Sequence, residues 1–553
     1  MSSAKYMSKF ALPGTSTTRA PRPARRYRAL DATRSVVSSA IPVATQASVN
    51  ANTRNRAGGI AYSPSDKMEF VTTCLSWAML RRKDGAGNMY ESEANRLARI
   101  KGLVPKVGGE FAAKTALMLR ILDGGRSISH ALAAFIAPYA SGEKWAEDFY
   151  YQIAVRPDDL CEIVAAIWKY NGQPRKNQTT PGMTKMKLPR ALVRGFARRF
   201  QKFDEYRLTK YANKSTNPSL KQLMQLVRPA PLNQAQSLVF QKLLTDKLVN
   251  TDTWEASLSS AGQSGRSKGE AWAELIAANK LGPLALLKNL RNIAQYCSDD
   301  VIREACEQLC DAQTVKNCGI LPAQYLTAYT ALEGVANAGK FKTAIDRSVD
   351  IAAGNIPSIG NRVLVAIDES GSMRTARLTE TAAIFAASLI KSNPNVDVMY
   401  FATDARYATF NSKQPIMELI KDIVGRTGRG ATNFNAIFDT AHRSYDTIVI
   451  LSDNEGWMGR GYGSNYYAAA GAPTTSRQAY CNKYGINPTV FSFDLAGDGS
   501  LMFREDSIIT LAGNSFLVFK LLSYLKTERS KLVDMVDTVE IGKTMPTFGE
   551  EED

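Results

Sequence analysis

The stretch VLVAIDESGSMRT, residues 363–375, is an apolar run that ends abruptly in an acid and two serines. Three further apolar runs of strand length follow it, with helical stretches between them. The four runs are RVLVAID (362–368), VDVMYFAT (396–403), DTIVILSD (446–453) and PTVFSFDL (488–495). Val- and Ile-rich strands that alternate with helices form parallel sheets covered on both faces. Residues 356–545 are therefore predicted to form a doubly wound, Rossmann-like α/β domain.

Oxygen-bearing side chains follow two of these strands. Asp368 ends the first run, and Ser370 and Ser372 come next in the turn. Asp453 ends the third run, and Thr432 lies in the glycine-rich segment GRTGRGATNFN between them. Because ligands of such sheets collect at the carboxyl ends of the strands, we expect these five side chains at one edge. Carboxylates and hydroxyls suit Mg²⁺ or another small divalent cation, so the sequence predicts a metal site there.

An enzymatic site fits this stretch less well. Asp368 begins no DxDx(T/V) phosphotransferase signature, and the chain has neither a GxSxG elbow nor a GxxxxGK(S/T) phosphate loop. Of the 2 histidines, His130 is interpreted as a packing or surface residue and His442 as a helix-end residue. A metal held by one or two acids can activate water, but no general base or substrate pocket accompanies it. We expect no catalytic residues.

Residues 61–355 have a different pattern. Apolar residues recur at spacings of three and four in short segments that Gly, Pro and Asn separate, such as GEFAAKTALMLRILDGG and ALLKNLRNIAQYC. This spacing predicts a long series of amphipathic helices, although no strict repeat length is visible. We expect an all-α helical-repeat superhelix with one concave surface.

The net charge of +17 is concentrated in the helical half. Residues 355–553 contain 19 Lys and Arg against 23 Asp and Glu, a net charge of −4, and residues 1–354 contain 50 against 29, a net charge of +21. Such asymmetry indicates contact with a polyanion, and nucleic acid is the leading candidate. The alternative is a basic surface without a specific partner.

The two ends of the chain differ in composition from the rest. Residues 1–60 contain ten Lys and Arg against the single Asp31, with little hydrophobic periodicity, so we expect a disordered basic arm. It is either a nonspecific phosphate-binding tail or a solubilising leader without a role. Residues 546–553 are predicted to be an acidic tail.

Two family resemblances follow from these residues. The set Asp368, Ser370, Ser372, Thr432 and Asp453 resembles the metal-ion-dependent adhesion site of von Willebrand factor A (vWA) domains. The alternative is a vWA-like sheet whose site binds no metal. The helical half resembles the TROVE module of the Ro ribonucleoprotein autoantigen family, in a bacterial or phage-type form. The phrases that carry this resemblance are LTKY, LVRPAP, PLALLKNLRN and LDGGRSISHALAAF in the helical half, and LSDNEGW in the α/β half.

The Ro resemblance implies a ring of HEAT-like helical repeats followed by a vWA domain. It further implies a noncatalytic RNA-binding protein. Such proteins bind small structured noncoding RNA (Y RNA) on a basic outer surface and single-stranded 3′ ends of misfolded RNA in a central ring. They act in RNA quality control, and bacterial relatives can be tethered by a Y RNA to an exoribonuclease, polynucleotide phosphorylase.

The resemblance also implies RNA-contacting positions. Lys210 and Lys214 match two basic positions, and Arg228 stands where the family has a functionally important histidine. Arginine still binds phosphate or stacks on a base, so RNA binding survives this change more readily than the family's specificity does. Further candidates are the basic residues of LPRALVRGFARRFQK, namely Arg190, Arg194, Arg198, Arg199 and Lys202.

The spacing of residues along the predicted helices indicates which of them share a face. Arg190, Arg194 and Arg198 are four apart and share one helix face, which is either an RNA contact or an ordinary solvated face. In LGPLALLKNLRN we expect Leu284, Leu287 and Leu290 in the core and Lys288 and Arg291 on an inner surface. The aromatic residues Trp254, Trp272, Tyr206 and Tyr211 are more readily explained by helix packing than by base stacking.

The remaining features bound the location of the protein. Its 7 cysteines fit reduced thiols better than a disulfide framework, and Cys306 and Cys310 are better explained as buried helical residues than as a metal pair. No apolar run approaches the length of a membrane span, and no secretory signal is recognisable. We expect a cytoplasmic monomer without membrane contact. A vWA module that docks an acidic partner residue through its metal is the alternative function.

Overall fold

The computed structural model describes most of the chain between residues 53 and 544. The described residues are 53–80, 92–122, 125–171, 188–212, 216–248, 258, 265–318, 320, 322–353, 356, 358–375, 378–458, 473–497, 499–512, 522 and 532–544. The predicted arm up to residue 52, Lys214, Trp254 and the predicted acidic tail lie outside this set. Within it, no helix combines the length and the apolar character that crossing a membrane requires.

The described part of the chain begins with a small hairpin and continues as a series of helices. Strands β1 (Thr53–Arg54) and β2 (Ile60–Ala61) pair antiparallel. The helices that follow are α1 (Asp66–Leu80), α2 (Glu93–Val107), α3 (Gly109–Ile121), α4 (Arg126–Ile136), α5 (Ala146–Ile153), α6 (Pro157–Asn171), α7 (Arg190–Phe200), α8 (Glu205–Ala212), α9 (Leu220–Val227), α10 (Gln234–Leu244), α11 (Lys268–Ala277), α12 (Pro283–Tyr296), α13 (Asp299–Leu309), α14 (Ala312–Cys318), α15 (Pro322–Ala331) and α16 (Ala338–Ala353). The predicted all-α series is confirmed.

The second half is the predicted α/β domain. Its elements are β3 (Val363–Asp368), α17 (Gly371–Thr375), α18 (Leu378–Ser392), β4 (Val396–Phe401), β5 (Ala405–Ala408), α19 (Ile416–Gly425), α20 (Asn435–Thr440), β6 (Thr447–Ser452), α21 (Thr474–Tyr484), β7 (Thr489–Asp494), β8 (Ile509–Ala512) and α22 (Leu532–Asp537). The six strands form one sheet in the order β5-β4-β3-β6-β7-β8. All neighbouring pairs are parallel except β4 and β5, which are antiparallel.

The sheet is buried on both faces, as its apolar runs predict. Every residue of β3 and of β6 is buried. One face packs with the helical half in a shared core, which includes Val365 and Val449. Leu364 and Ile448 point to the other face and pack with Phe434 and Phe438 in a second cluster. The alternation of side chains along each strand therefore divides the apolar runs between two cores.

The helical series begins and ends on the sheet domain. At its start, Tyr62 and Leu501 exchange two backbone hydrogen bonds, of 2.8 and 3.0 Å. At its end, α16 packs on α18 and α19, and Lys391 of α18 lies 3.1 Å from Asp350 of α16. The chain therefore closes on itself, with the sheet domain between the first and the last helices of the series.

The N-terminal hairpin is part of this closure. Asn55 is buried, and its Nδ2 donates to the carbonyl oxygen of Gly456, 2.6 Å away. Gly59 approaches the same segment so closely that a Cβ on it would lie 2.0 Å from the Gly456 oxygen. Residues 53–60 were predicted to belong to a disordered arm, but here they form a hairpin that the Asn55 side chain joins to Gly456 of the sheet domain.

Candidate functional site

The carboxyl ends of β3 and β6 bring the predicted acids to one edge of the sheet. The two strands are parallel neighbours, and Ile367 is paired with Leu451. Asp368 is therefore level with Ser452, whose hydroxyl donates a 2.6 Å hydrogen bond to Asp368 Oδ2. Asp453 follows directly and is buried. The two apolar runs that end in an acid, those of β3 and β6, therefore end side by side.

The turn after β3 folds its hydroxyls back toward the carboxylate. The backbone N–H of Ser370 donates to Asp368 Oδ1 at 2.8 Å, and the hydroxyl oxygens of Ser370 and Ser372 lie 3.1 Å apart. Burial raises the pKa of Asp368, and the hydrogen bonds from Ser452 and Ser370 lower it. Burial is the larger effect, so the pKa is raised to about 6. Among the described residues no lysine or arginine forms an ion pair with Asp368. A cation at this edge would stabilise its charged form.

The glycine-rich loop carries Thr432 to the same edge. Thr432 is buried, and its carbonyl oxygen accepts hydrogen bonds of 3.1 Å from the N–H groups of Trp457 and Met458, shortly after Asp453. A Cβ on Gly430 would lie 2.8 Å from the Cβ of Ala402, so only glycine allows the loop to approach the end of β4 this closely. The loop is thus tied to the segment after β6.

The donor set fits a hard divalent cation. Asp368 and Asp453 supply carboxylate oxygens, and Ser370, Ser372 and Thr432 supply hydroxyls, which are the ligand types that Mg²⁺ takes together with water. In the part of the chain that the structure describes, no three His, Cys, Asp or Glu side chains form a metal-binding group. The donor types of these five residues are those that Mg²⁺ takes, and they differ from the Cys and His of a closed zinc site.

Two residues beside the acids hold the segment after β6. Asn454 has a left-handed backbone, with φ 58°, and its Oδ1 accepts a 3.2 Å hydrogen bond from the hydroxyl of Ser492 on β7. Glu455 is buried, and its Oε2 accepts a 2.8 Å hydrogen bond from the N–H of Ala57. The role of Glu455 depends on the N-terminal hairpin, some 400 residues away in sequence, so no local pattern could reveal it.

The arginines of α7 share one face, as their spacing predicts, but two of them are paired. Arg190 is exposed at the start of the helix. Arg194 Nε and Arg198 Nη1 contact the two carboxylate oxygens of Glu147, at 2.6 and 3.1 Å, and Arg198 also contacts Asp148 at 2.8 Å. Much of their positive charge is therefore balanced by α5.

Arg199 corrects the prediction of RNA contact. Its side chain is 2% exposed, and Nε and Nη2 donate to the carbonyl oxygens of Ala154 (2.6 Å) and Val155 (3.1 Å). Its guanidinium also lies over the rings of Tyr151 and Phe203. Burial lowers the pKa of Arg199 to about 10. Arg199 joins α5 to α7 in the interior and is inaccessible to RNA.

The other predicted cations of this region are accessible. Lys202 and Arg228 are exposed and Lys210 is half-buried, and within the described ranges none of the three forms an ion pair. Arg228 ends α9 in the left-handed region, with φ 51°, and its N–H donates to the carbonyl oxygen of Met224 at 2.8 Å. Tyr206, 48% exposed, stands on α8 near these residues.

Helix α12 presents a second accessible face. Lys288 and Arg291 are exposed, and no ion pair involves either of them where the structure is described. Leu287 and Leu290 are buried as predicted, but Leu284 is 37% exposed, because it lies in the first turn at the margin of the packed face. Tyr296, at the other end of the helix, is 42% exposed. Trp272 of α11 is buried, so it packs helices, as the sequence favoured.

Comparison with known proteins matches this architecture. Residues 245–401 match the family model described as the TROVE domain, which here runs from the end of α10 to the end of β4. The chain is 26% identical over 227 residues to a protein of Deinococcus radiodurans named RNA-binding protein RO60, an alignment that covers 37% of this chain and 41% of that protein. It thus spans about two fifths of the relative's length.

The fold is also similar to a solved structure. The crystal structure of the Deinococcus radiodurans RO (RSR) protein superposes with a TM-score of 0.55 at 17% sequence identity. The superposition covers 84% of this chain and 100% of the solved one. The arrangement of a helical series with a C-terminal α/β domain is therefore shared over most of both molecules.

Proposed function

We propose that this chain is a member of the Ro family of TROVE-domain proteins, which it resembles in sequence and fold, and that it is a noncatalytic RNA-binding protein of RNA quality control. It binds small structured, Y RNA-like noncoding RNA on the basic surface of the helical half. It receives the single-stranded 3′ ends of misfolded RNA within the closed helical series. It works in the cytoplasm as a monomer, and the bound RNA can scaffold an exoribonuclease such as polynucleotide phosphorylase.

One observation carries the proposal: exposed or half-buried cations of the helical half that form no ion pair in the described part of the chain. Lys202, Lys210 and Arg228 lie on and around α8 and α9, and Lys288 and Arg291 lie on α12. Neutralising phosphates releases counterions, so unpaired cations add affinity that paired ones do not. The first group suits the structured RNA, and the second, on the helix that also carries exposed Tyr296, suits a single strand.

The surroundings of the two histidines support a noncatalytic role. His130 is buried, with Nε2 3.2 Å from Asp159 and Nδ1 3.1 Å from Glu162. His442 packs on the ring of Tyr407, with the ring centroids 4.2 Å apart. Both side chains are engaged in packing or ion pairing, and neither contacts the acids at the ends of β3 and β6.

The test is direct binding of a structured RNA with a single-stranded 3′ tail. Purified protein should shift this RNA, and the affinity should fall steeply as salt rises. The double variant Lys288→Ala/Arg291→Ala should weaken binding of the tailed RNA more than binding of the same RNA without its tail. The pair Arg194→Ala/Arg198→Ala, whose charges are already balanced, is the matched control and should have a smaller effect. Absence of any shift by the wild-type protein would refute the proposal.

The strand-end site favours a second candidate function. There Asp368, Ser370, Ser372, Thr432 and Asp453 would hold Mg²⁺, which leaves a coordination position for an acidic side chain of a partner protein. A partner bound in this way should be released by a chelator and should no longer bind Asp368→Ala, whether or not RNA is present. A partner that persists in both conditions would exclude this candidate.

A further inference from the structure

The loops that form the strand-end site carry four exposed arginines, which we name the arginine collar. Its members are Arg374 on α17, Arg406 on β5, and Arg426 and Arg429 on the glycine-rich loop. They occur in a half of the chain whose net charge is −4. The net charge of this half is negative, so it does not account for four exposed arginines close together in sequence and space.

Direct contacts show that the collar is one surface. The Arg374 Nη2 donates to the carbonyl oxygen and the hydroxyl of Thr427, at 3.3 and 3.2 Å. The Arg406 Nη2 donates to the carbonyl oxygen of Arg426 at 2.8 Å. Arg426 and Arg429 are three residues apart in the loop, so the four arginines lie on or beside the same short segment.

The collar contains both paired and unpaired members. Arg406 pairs with Glu369 at 2.7 Å, and Arg426 pairs with Asp422 through two nitrogens, at 2.8 and 2.7 Å. Arg374 and Arg429 form no ion pair with any residue that the structure describes. Asp404 is an exposed acid near the loop, and a single carboxylate could balance at most one of these charges. Two cations are thus available to an external anion.

The guanidinium groups of the two paired members, Arg406 and Arg426, each stack on an aromatic ring. The Cζ of Arg406 lies 4.6 Å from the centroid of the Tyr400 ring, and that of Arg426 lies 4.7 Å from the centroid of Phe410. Stacking on a ring fixes the plane of a guanidinium and lowers the entropy cost of binding an anion. A planar fork in a fixed orientation matches the geometry of phosphate oxygens.

We propose that the arginine collar binds the phosphodiester backbone of single-stranded RNA at the strand-end edge of the sheet domain. This inference rests on the proposed RNA-binding function and adds a contact surface outside the helical half. A polyanion fits the collar better than a single acidic side chain does. One carboxylate can neutralise one guanidinium, whereas successive phosphates can contact several of the arginines that lie on or beside residues 426–429.

The experiment compares two double variants of the full chain that remove the same charge. Arg374→Ala/Arg429→Ala removes the unpaired members of the collar. Lys413→Ala/Lys483→Ala removes two exposed lysines of the same domain that lie at the other end of α19 and just before β7, on the opposite edge of the sheet. Binding of a fluorescent single-stranded RNA is measured by anisotropy over a range of salt concentrations.

The collar variant should weaken binding about tenfold, and the slope of its salt dependence should decrease by roughly 0.7 for each phosphate that it no longer neutralises. The lysine control should stay within about twofold of wild type. A photo-crosslinkable RNA should label peptides that contain residues 369–375 or 426–435.

Three results would overturn the inference: equal effects of the two double variants, crosslinks confined to the helical half, or competition by polyglutamate as effective as that by RNA of equal charge. A wild-type protein that binds no RNA would refute the proposed function itself, whereas tight wild-type binding with an unaffected collar variant would refute only this inference.

Discussion

The guanidinium of Arg120 donates a 2.6 Å hydrogen bond to the carboxylate of Asp159, and both side chains are buried, with 8% and 0% exposure. Arg126 contacts the second oxygen of the same carboxylate at 2.8 Å, and His130 lies 3.2 Å away. The interface of α3, α4 and α6 therefore contains an ionic cluster inside the helical half. Its members depend on one another for charge balance.

Asp159→Asn should destabilise the protein strongly. It leaves the positive charge of Arg120 buried without its partner, whereas half-buried Arg126 keeps Asp158 and Glu162. Breaking a buried pair in this way costs about 3–5 kcal/mol. Urea unfolding should report this destabilisation as a lower midpoint. Glu333→Gln, which changes an exposed carboxylate on the helical half, should leave the midpoint unchanged. An Asp159→Asn midpoint equal to wild type would show that water or relaxation already compensates the cluster.

The same cluster predicts a decrease of stability in acid. Burial raises the pKa of Asp159, but contacts with His130, Arg120 and Arg126 outweigh it and hold this pKa well below its ordinary range. The pKa of Glu162 is also lowered, again because His130 and Arg126 outweigh burial. The unfolded chain then binds more protons than the folded one, so stability is complete above the ordinary values of 3.8 and 4.5 and declines as pH falls through them. In Asp159→Asn this decline should be shallower over the same pH range.

Magnesium should stabilise the wild-type chain and fail to stabilise Asp368→Asn. A ligand at one hundred times its dissociation constant adds about 2.7 kcal/mol to the free energy of unfolding. Asp368 is the most buried acid of the strand-end site, so its amide removes a central ligand with little change in volume. Thermal melts with and without Mg²⁺ provide the measurement, with Glu333→Gln as control. Equal Mg²⁺ responses of wild type and Asp368→Asn would place the ion elsewhere.

Arg156 should position the RNA-binding end of α8. Its Nε and Nη2 donate to the two oxygens of buried Asp158, at 3.0 and 2.7 Å, and its Cζ lies 4.6 Å from the ring centroid of Tyr211, the neighbour of Lys210. Arg156→Lys keeps the charge but removes the planar fork. RNA affinity should fall roughly threefold to tenfold while the salt dependence stays unchanged, because no phosphate contact is removed.

The matched control for Arg156→Lys is Arg443→Lys in the sheet domain. Arg443 also pairs with an aspartate, Asp397 at 2.7 Å, and lies 5.4 Å from the ring of Tyr445. It stands away from α8, so its variant should bind RNA as wild type does. A reduced salt dependence in Arg156→Lys would instead identify Arg156 as a direct phosphate contact.

Gly59→Ala should open the junction between the hairpin and the sheet domain. The added Cβ would meet the Gly456 carbonyl at 2.0 Å, so one of the two backbones must move. Hydrogen exchange should increase at Tyr62 and Leu501. Gly102→Ala is the control: its Cβ would meet nothing within 4 Å in the middle of α2, so it should raise stability by about 0.5–1 kcal/mol. Unchanged exchange in Gly59→Ala would show that the junction tolerates the shift.

The sequence predicted the elements whose signal is local. The strands β3, β4, β6 and β7 are long apolar runs, and each was confirmed at its predicted place. Strand β5, ARYA, carries no such run, and its antiparallel pairing with β4 follows from the short turn at 402–404. The two-residue strands β1 and β2 are too short to show an apolar run, and no local pattern encodes the contacts of their hairpin with the sheet domain.

The sequence predicted the location of the strand-end residues better than it predicted which arginines are accessible. The five strand-end residues could be selected because an acid at the end of a parallel strand has only one edge on which to lie. The number of arginines in α7 does not reveal which of them are exposed and unpaired. Arg199 follows Arg198 by one residue, or about 100° around the helix, and that rotation turns it into the core. Which cations are balanced by acids of α5 was likewise invisible in the sequence of α7.

The hairpin at residues 53–61 makes the sheet domain discontinuous in sequence. A polypeptide that begins near residue 356 would lack the N–H of Ala57 that satisfies Glu455 and the Asn55 amide that satisfies the Gly456 carbonyl. Expressed alone, it would expose a buried carboxylate beside the candidate metal ligands. Dissection of this protein at the helix-to-sheet junction would therefore yield fragments unlike either half of the intact molecule, and functional mapping should rely on point variants of the full chain.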